Sequence, residues 1–185
     1  MIGDVRQLLI DAGAALDSAG VAYAVIGGCA RNAYAEARAT KDVDFVVAGD
    51  PASYDAAVKA LAARGFVHAS AVGEATDPVP DLVLYRDAKQ RRVDILFAKT
   101  AFEESALARR QTRAPYEAVQ LPVVSPEDLI VYKLIAGRTQ DFADVEVVVA
   151  ALASEGRALD WAYVEKWCAD WDVADRLVRV RSHPV

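Results

Sequence analysis

The run from Val25 to Val47, VIGGCARNAYAEARATKDVDFVV, constrains this chain more tightly than any other. Val21 to Ile26 is β-branched and aromatic enough for a buried strand, and Gly27-Gly28 halts it at a turn where no Cβ blocks the approach of a phosphate. Cys29 to Arg38 reads as a short alanine-rich helix whose first N–H groups, beside the glycines, would face an anion. Asp42 to Ala48 is a second strand. Because strand side chains alternate, Asp42 and Asp44 point one way while Val43 and Phe45 point into the core. A paired carboxylate platform therefore stands beside a glycine turn.

The remaining chain supplies elements to build around that platform. Upstream, Val5, Leu8, Leu9, Ala12 and Leu16 recur at helical spacing over Asp4 to Ala19, with Gly20 where a C-terminal cap belongs. Downstream, Asp50-Pro51 opens a helix with Ala56, Ala57, Ala60 and Leu61 inward and Gly65 at its end. Phe66 to Ala71 and Leu82 to Tyr85 read as strands. The loop between them, Thr76 to Asp81, is rich in turn-forming pairs and is expected to rim a site and help choose its substrate. Arg91 to Phe97 is a further strand, with Val93 and Ile95 on one face and Asp94 on the other. An acid inside an apolar strand is costly to bury unless it is paired or holds a metal, so Asp94 joins Asp42 and Asp44 as a candidate metal-binding residue. Thr100 to Arg110 is a capped helix whose Glu103 and Glu104 the helix dipole explains. Tyr116 to Val124 is extended around Pro122. Ser125-Pro126-Glu127 then starts a helix, and from there the chain reads helical through Asp141 to Ser154, Trp161 to Trp171 and Val173 to Val180. The expected division is a core over residues 1–124 and a helical region over residues 125–185 packed on it.

Composition narrows the classes of function. With 185 residues, 54% of them hydrophobic, the chain can bury a sizeable centre as one compact unit. A net charge of -6 argues against coating nucleic acid with the whole surface, so any such partner would be held locally. Cys29 and Cys168 form no CxxC or Cys/His pattern, which argues against a zinc site or a disulfide framework. Asp and Arg interrupt the apolar pattern of the N-terminal helix. That is unlike a signal peptide or membrane span, so a cytoplasmic location without a membrane partner is expected. No G-x-S-x-G elbow is present and His183 lies near the C-terminus, a poor fit to a Ser/His/Asp hydrolase.

Together, Gly27-Gly28, a spacer containing Arg31 and Arg38, the Asp42-Val43-Asp44-Phe45 run and the later Asp94 resemble the signature of the DNA polymerase beta-like nucleotidyltransferase superfamily. The run KLIAGRTQDFADVE, Lys133 to Glu146, is similar to the helical motifs of abortive-infection (AbiEii-type) toxins and related minimal nucleotidyltransferases. The resemblance implies an α/β nucleotidyltransferase fold: a mixed β-sheet flanked by helices, with a helical C-terminal region. It also implies transfer of a nucleoside monophosphate from a nucleoside triphosphate such as ATP to a hydroxyl acceptor, with two Mg²⁺ ions. Asp42, Asp44 and Asp94 would then be catalytic and metal-binding, with Asp94 taking the acceptor's proton. Gly27, Gly28, Arg31, Arg38, Lys41, Lys133 and Arg138 would contact the nucleotide. A few carboxylates plus substrate phosphates suit Mg²⁺, which takes hard oxygen ligands and keeps several waters.

The acceptor stays open at this level. RNA in a toxin-like enzyme with a cognate partner protein, a small antibiotic such as an aminoglycoside or lincosamide, and a protein side chain all fit, with the toxin-like group favoured by the second motif. A silent relative that binds nucleotide or a partner also fits. Each motif has a plainer reading as well. Acidic pairs recur by chance among 27 acidic residues, and Lys133 and Arg138 fit a helix surface with ion pairs to Asp141 and Asp144. Trp161, Trp167 and Trp171 are read as core or dimer contacts.

Overall fold

The computed structural model describes residues 2–181, with side chains from residue 4 onward; His183 lies outside them. Helix α1 (Ile2–Ala19) turns its apolar stripe inward, burying Val5, Leu8, Leu9, Ala12 and Leu16. Strand β1 (Tyr23–Ile26) runs into α2 (Gly27–Asn32), and β2 (Asp42–Ala48) runs antiparallel to β1. Helix α3 (Pro51–Ala63) starts with Pro51 in its first turn and the Asp50 carboxylate accepting the Ser53 N–H at 3.0 Å. A meander follows, β3 (Val67–Val72), β4 (Leu82–Arg86) and β5 (Arg92–Ala98), and β5 returns parallel to β2. Helix α4 (Ala101–Ala108) is held by a full capping box between Thr100 and Glu103.

Strands β6 (Gln111–Tyr116) and β7 (Val119–Val123) complete a seven-stranded mixed sheet, ordered β3-β4-β5-β2-β1-β7-β6 among the described residues. Strand β6 falls where the sequence shows no strand signal. Its QTRAPY run is polar and holds Pro115, which cannot donate to a ladder. The pairing is irregular between Arg113 and Tyr116, as edge strands tolerate.

The two faces of the sheet have different fates. Val43, Phe45, Val93, Ile95 and Val83 are fully buried under α1 and α3. The opposite face, which carries Asp42, Asp44 and Asp94, lies under α2 on β1 and β2 and under α4 on β2 and β5, with α5 (Pro126–Ala136) packed against α2. Helix α5 is buried nearly all round, and its charged Glu127, Asp128 and Lys133 are buried with its apolar residues. Leu129 joins the sheet core, while Ile130, Val131 and Leu134 join a second cluster with α6 (Thr139–Ser154), α7 (Trp161–Asp170) and α8 (Ala174–Arg181). Trp167 lies in that cluster, whereas Trp171 is 37% exposed. Arg176 of α8 donates to the carbonyls of Leu134 and Ile135 at 2.7 and 2.9 Å, closing the end of α5 beside Gly137 at φ 64°. Tyr163 of α7 donates to the fully buried Asp128 at 2.5 Å. No described helix is long and apolar enough to cross a membrane.

Candidate active site

A cleft of about 540 Å³ opens between the start of β2 and the junction of α5 with α6. Its floor is the β1–α2 turn. Gly27 sits at φ +66°, and a Cβ there would stand 2.1 Å from Asp44 Oδ2; one on Gly28 would stand 2.8 Å from Thr40 Oγ1. Gly27 is therefore required by the aspartate strand crossing beneath the turn, and Gly28 is crowded by Thr40 in the loop before that strand, before any phosphate is considered. Helix α2 is shorter than the sequence reading, which ran to Arg38. The side chain of Asn32, the last residue of α2, holds Arg38, accepting its N–H at 3.1 Å and donating to its carbonyl at 2.9 Å. Tyr34 donates to the Val124 carbonyl at 2.6 Å, so residues 33–41 fold back over the cleft edge. A six-residue helix carries little macrodipole, and the anion expected at its N-terminus must find most of its attraction elsewhere.

One wall is anionic. Strand register sets Ile26, Asp44, Asp94 and Leu84 directly across from one another on four adjacent strands, with Asp42 one row away beside Arg92. Burial, then the neighbouring Asp94 and Asp42, push the Asp44 carboxyl up to about 7. Such crowding calls for a cation. Asp42 and Asp44 line the cleft, whereas Asp94, 8% exposed, does not. Both Asp94 oxygens are taken by Arg92, which donates Nε to Oδ1 at 2.7 Å and Nη2 to Oδ2. Among the described residues no three His, Cys, Asp or Glu side chains close on one point as a finished metal cage. The donor set is nonetheless of the right kind for Mg²⁺: hard carboxylate oxygens, two open to the cleft and mutually repelling.

The facing wall is cationic and is built by the second motif. Lys133, 5% exposed, donates to Asp141 at 2.9 Å and to Asp144 at 2.7 Å. Arg38 grips Asp144 with two prongs, at 2.9 and 2.7 Å, and Arg138 donates to Asp141 at 2.7 Å. Burial alone would raise both aspartates. Hydrogen bonds from Arg38 and Lys133 hold Asp144 below the usual carboxylate range, and those from Arg138 and Lys133 do the same for Asp141. Four cations, counting Arg31, meet two carboxylates here, which leaves a surplus of two positive charges. Lys41, exposed at the rim, adds another.

The structure thus brings Gly27, Gly28, Arg38, Lys41, Asp42, Asp44, Lys133 and Arg138 to one cleft. Arg31 is turned away from it. Its side chain is buried, donates to Asn32 and to the Glu36 carbonyl, and leaves Nε without a hydrogen bond 3.7 Å from Asp144. Lys133 is a buried hub and not the surface charge that helical spacing also allowed. The Thr76 to Asp81 loop does not rim this site. Lys99 ties it, through Asp77 at 2.8 Å and Asp81 at 2.9 Å, to the far end of β5. That end is about 20 Å from Asp42, six strand residues at roughly 3.3 Å each. Sequence reasoning overlooked Thr40, Gln140 and Arg92. For Arg92 the signal was present, since strand alternation places it on the face of Asp94. Cys29, behind Asp42, is pushed up to about 12 by burial and is no nucleophile.

This mixed sheet with its glycine turn and carboxylate strands is the nucleotidyltransferase fold. The chain matches, over residues 5–172, the family described as nucleotidyl transferases of unknown function (DUF2204), and it belongs to that family. No curated protein matches it in sequence. Among solved structures, the antibiotic-resistance factor ANT(2'')-Ia superposes with a TM-score of 0.61 at 18% identity, over 99% of this chain and 98% of that one. The lincosamide antibiotic adenylyltransferase LnuA, lincomycin-bound, gives 0.53 at 13% identity over 73% and 90%. An antigenic nucleotidyltransferase-like protein from Paracoccidioides brasiliensis gives 0.53 at 18% over 92% and 89%. At these identities the likeness is one of fold.

Proposed function

We propose that this protein transfers a nucleoside monophosphate, most simply from ATP, to a hydroxyl group of a small-molecule acceptor. The observation that carries the reading is the bipolar cleft, with Asp42 and Asp44 on one wall and Arg38, Lys133 and Arg138 on the other. A triphosphate between them meets cations along its oxygens and carboxylates at its metal-binding edge. The acceptor oxygen forms a bond to the α-phosphorus as the bond to pyrophosphate breaks, and the acceptor's proton would pass to Asp94 once that carboxylate is released by Arg92 and turned to the cleft. Asp42, Asp44 and Asp94 would hold divalent cations, which supply charge neutralisation and lower the pKa of the attacking hydroxyl. Lys133 and Arg38, locked by buried carboxylates, present fixed charge without the cost of ordering long side chains. A small acceptor agrees with a cleft in the size range of ligand pockets, with the acidic net charge, and with the aminoglycoside and lincosamide chemistry named for two fold neighbours.

The test is incubation with α-labelled nucleoside triphosphates, Mg²⁺, and a panel of aminoglycosides, a lincosamide, tRNA and protein. Label should move to a small molecule, and Asp44→Asn should cut the rate by about a hundredfold or more. Label on tRNA would replace this acceptor class with the toxin-like reading. Tight nucleotide binding without transfer to anything would support the silent relative.

A further inference from the structure

We propose that Arg92 is a positioning residue: it grips Asp94 when no metal is bound and must release it before Asp94 can join Asp42 and Asp44 at the cleft. The inference rests on the nucleotidyltransferase reading above. Strand alternation puts Arg92 on the face of Asp94, and register puts it directly across from Asp42. Its guanidinium therefore stands as a tethered cation at the edge of three carboxylates, with a two-pronged hold on both Asp94 oxygens. Each oxygen so engaged keeps a second lone pair, but a hard cation placed there would lie against the positive guanidinium, so metal and Arg92 compete for the same group.

The two partners differ in freedom. The Asp94 side chain is 11% exposed and fixed mid-strand, whereas that of Arg92 is 42% exposed. Arg92 is the one that can swing to solvent. Its cross-strand neighbour on the other side is Arg86, which donates to the Gln90 carbonyl and offers only like charge. Once the carboxylates are neutralised, little remains to keep Arg92 in place. The arrangement keeps the metal-free site balanced at the expense of affinity for free metal.

Mn²⁺ titration of the full chain, followed by electron paramagnetic resonance, tests this. Arg92→Gln should tighten Mn²⁺ binding by about five- to tenfold. Arg92→Lys keeps the charge but not the two-pronged grip, so it should fall between. In an Asp94→Asn background the gain should vanish. If Arg92→Gln leaves Mn²⁺ affinity unchanged or weaker, or if the gain persists with Asp94→Asn, the proposal is overturned and Arg92 is only a background charge. Mn²⁺ binding that is absent throughout, or insensitive to Asp44→Asn, overturns the metal reading as well. Normal Mn²⁺ binding with no Arg92 effect overturns this inference alone. Melting of the metal-free proteins gives a second readout. Arg92→Gln should melt lower than wild type, yet show the larger rise on adding Mn²⁺; should it not fold, Arg92→Lys carries the comparison.

Discussion

Asp44 is the residue on which the site's electrostatics turn. Its carboxyl sits at about 7 in the fold, raised from the ordinary 3.8 by burial and by Asp94 and Asp42. Between those values the folded state keeps a proton that the unfolded chain has lost, so stability falls as pH rises through that window. Above about pH 7 the loss is complete. Asp44→Asn removes the burden. Its denaturation midpoint, measured without metal, should equal that of wild type below about pH 4, exceed it increasingly toward pH 7, and stay ahead by a constant margin above. A variant that is less stable than wild type at pH 8 would contradict the crowded-carboxylate picture. A more stable protein with much slower transfer is what a strained functional residue gives.

At the scale of elements, Asp144 is the joint between the sheet half and the helical half. It stands on α6, yet it holds Arg38 from the loop before β2 and Lys133 from α5. Asp144→Ala would leave the buried Lys133 ammonium with Asp141 alone and deprive the Arg38 guanidinium of its carboxylate, at a cost of about 3 kcal/mol in chemical unfolding. The stability Asp144 contributes is present above the ordinary carboxylate value and is lost as pH falls through its lowered one. The wild-type advantage over Asp144→Ala should therefore shrink in acid. Helix α2 and strand β6 show why some elements escaped a local reading. The alanines after Asn32 favour helix, but Arg31 and Asn32 bond to the carbonyls of Glu36 and Arg38 in the folded-back segment, and Tyr34 bonds to that of Val124 far along the chain. In β6, a polar run with a proline becomes a strand because β7 supplies the partner and the edge demands little of it.

For the whole molecule, nucleotide and metal should act as folding ligands if they bind as proposed, because the cleft is lined at once by the β1–α2 turn, β2, α5 and α6. At a hundredfold its dissociation constant, Mg²⁺-ATP would add about 2.7 kcal/mol, a rise of about 5–10 °C in the melting midpoint for a chain this size. Chelation with EDTA should remove most of that rise, and Asp44→Asn should not show it. A full shift in EDTA would mean that nucleotide binds without metal help. The cleft also explains how two distant motifs belong to one site: parallel pairing of β5 with β2 delivers Asp94, and α5 brings Lys133 across from them.

The sequence by itself determined the alternation of Asp42, Val43, Asp44 and Phe45, the glycines before it, the isolated Asp94 and the apolar faces that build sheet and helices. These are local consequences of strand period, Cβ sterics and the cost of burying charge. Only the tertiary structure decided which cations reach the cleft. Arg31 and Arg38 lie seven residues apart on one short segment, yet one is turned into the interior and the other lines the wall. It likewise made Lys133 a buried hub, sent the Thr76 to Asp81 loop to the far end of the sheet, and gave Asp94 to Arg92. Ion pairs and loop placement depend on partners distant in the chain, and their geometry exists only once the sheet has set its register.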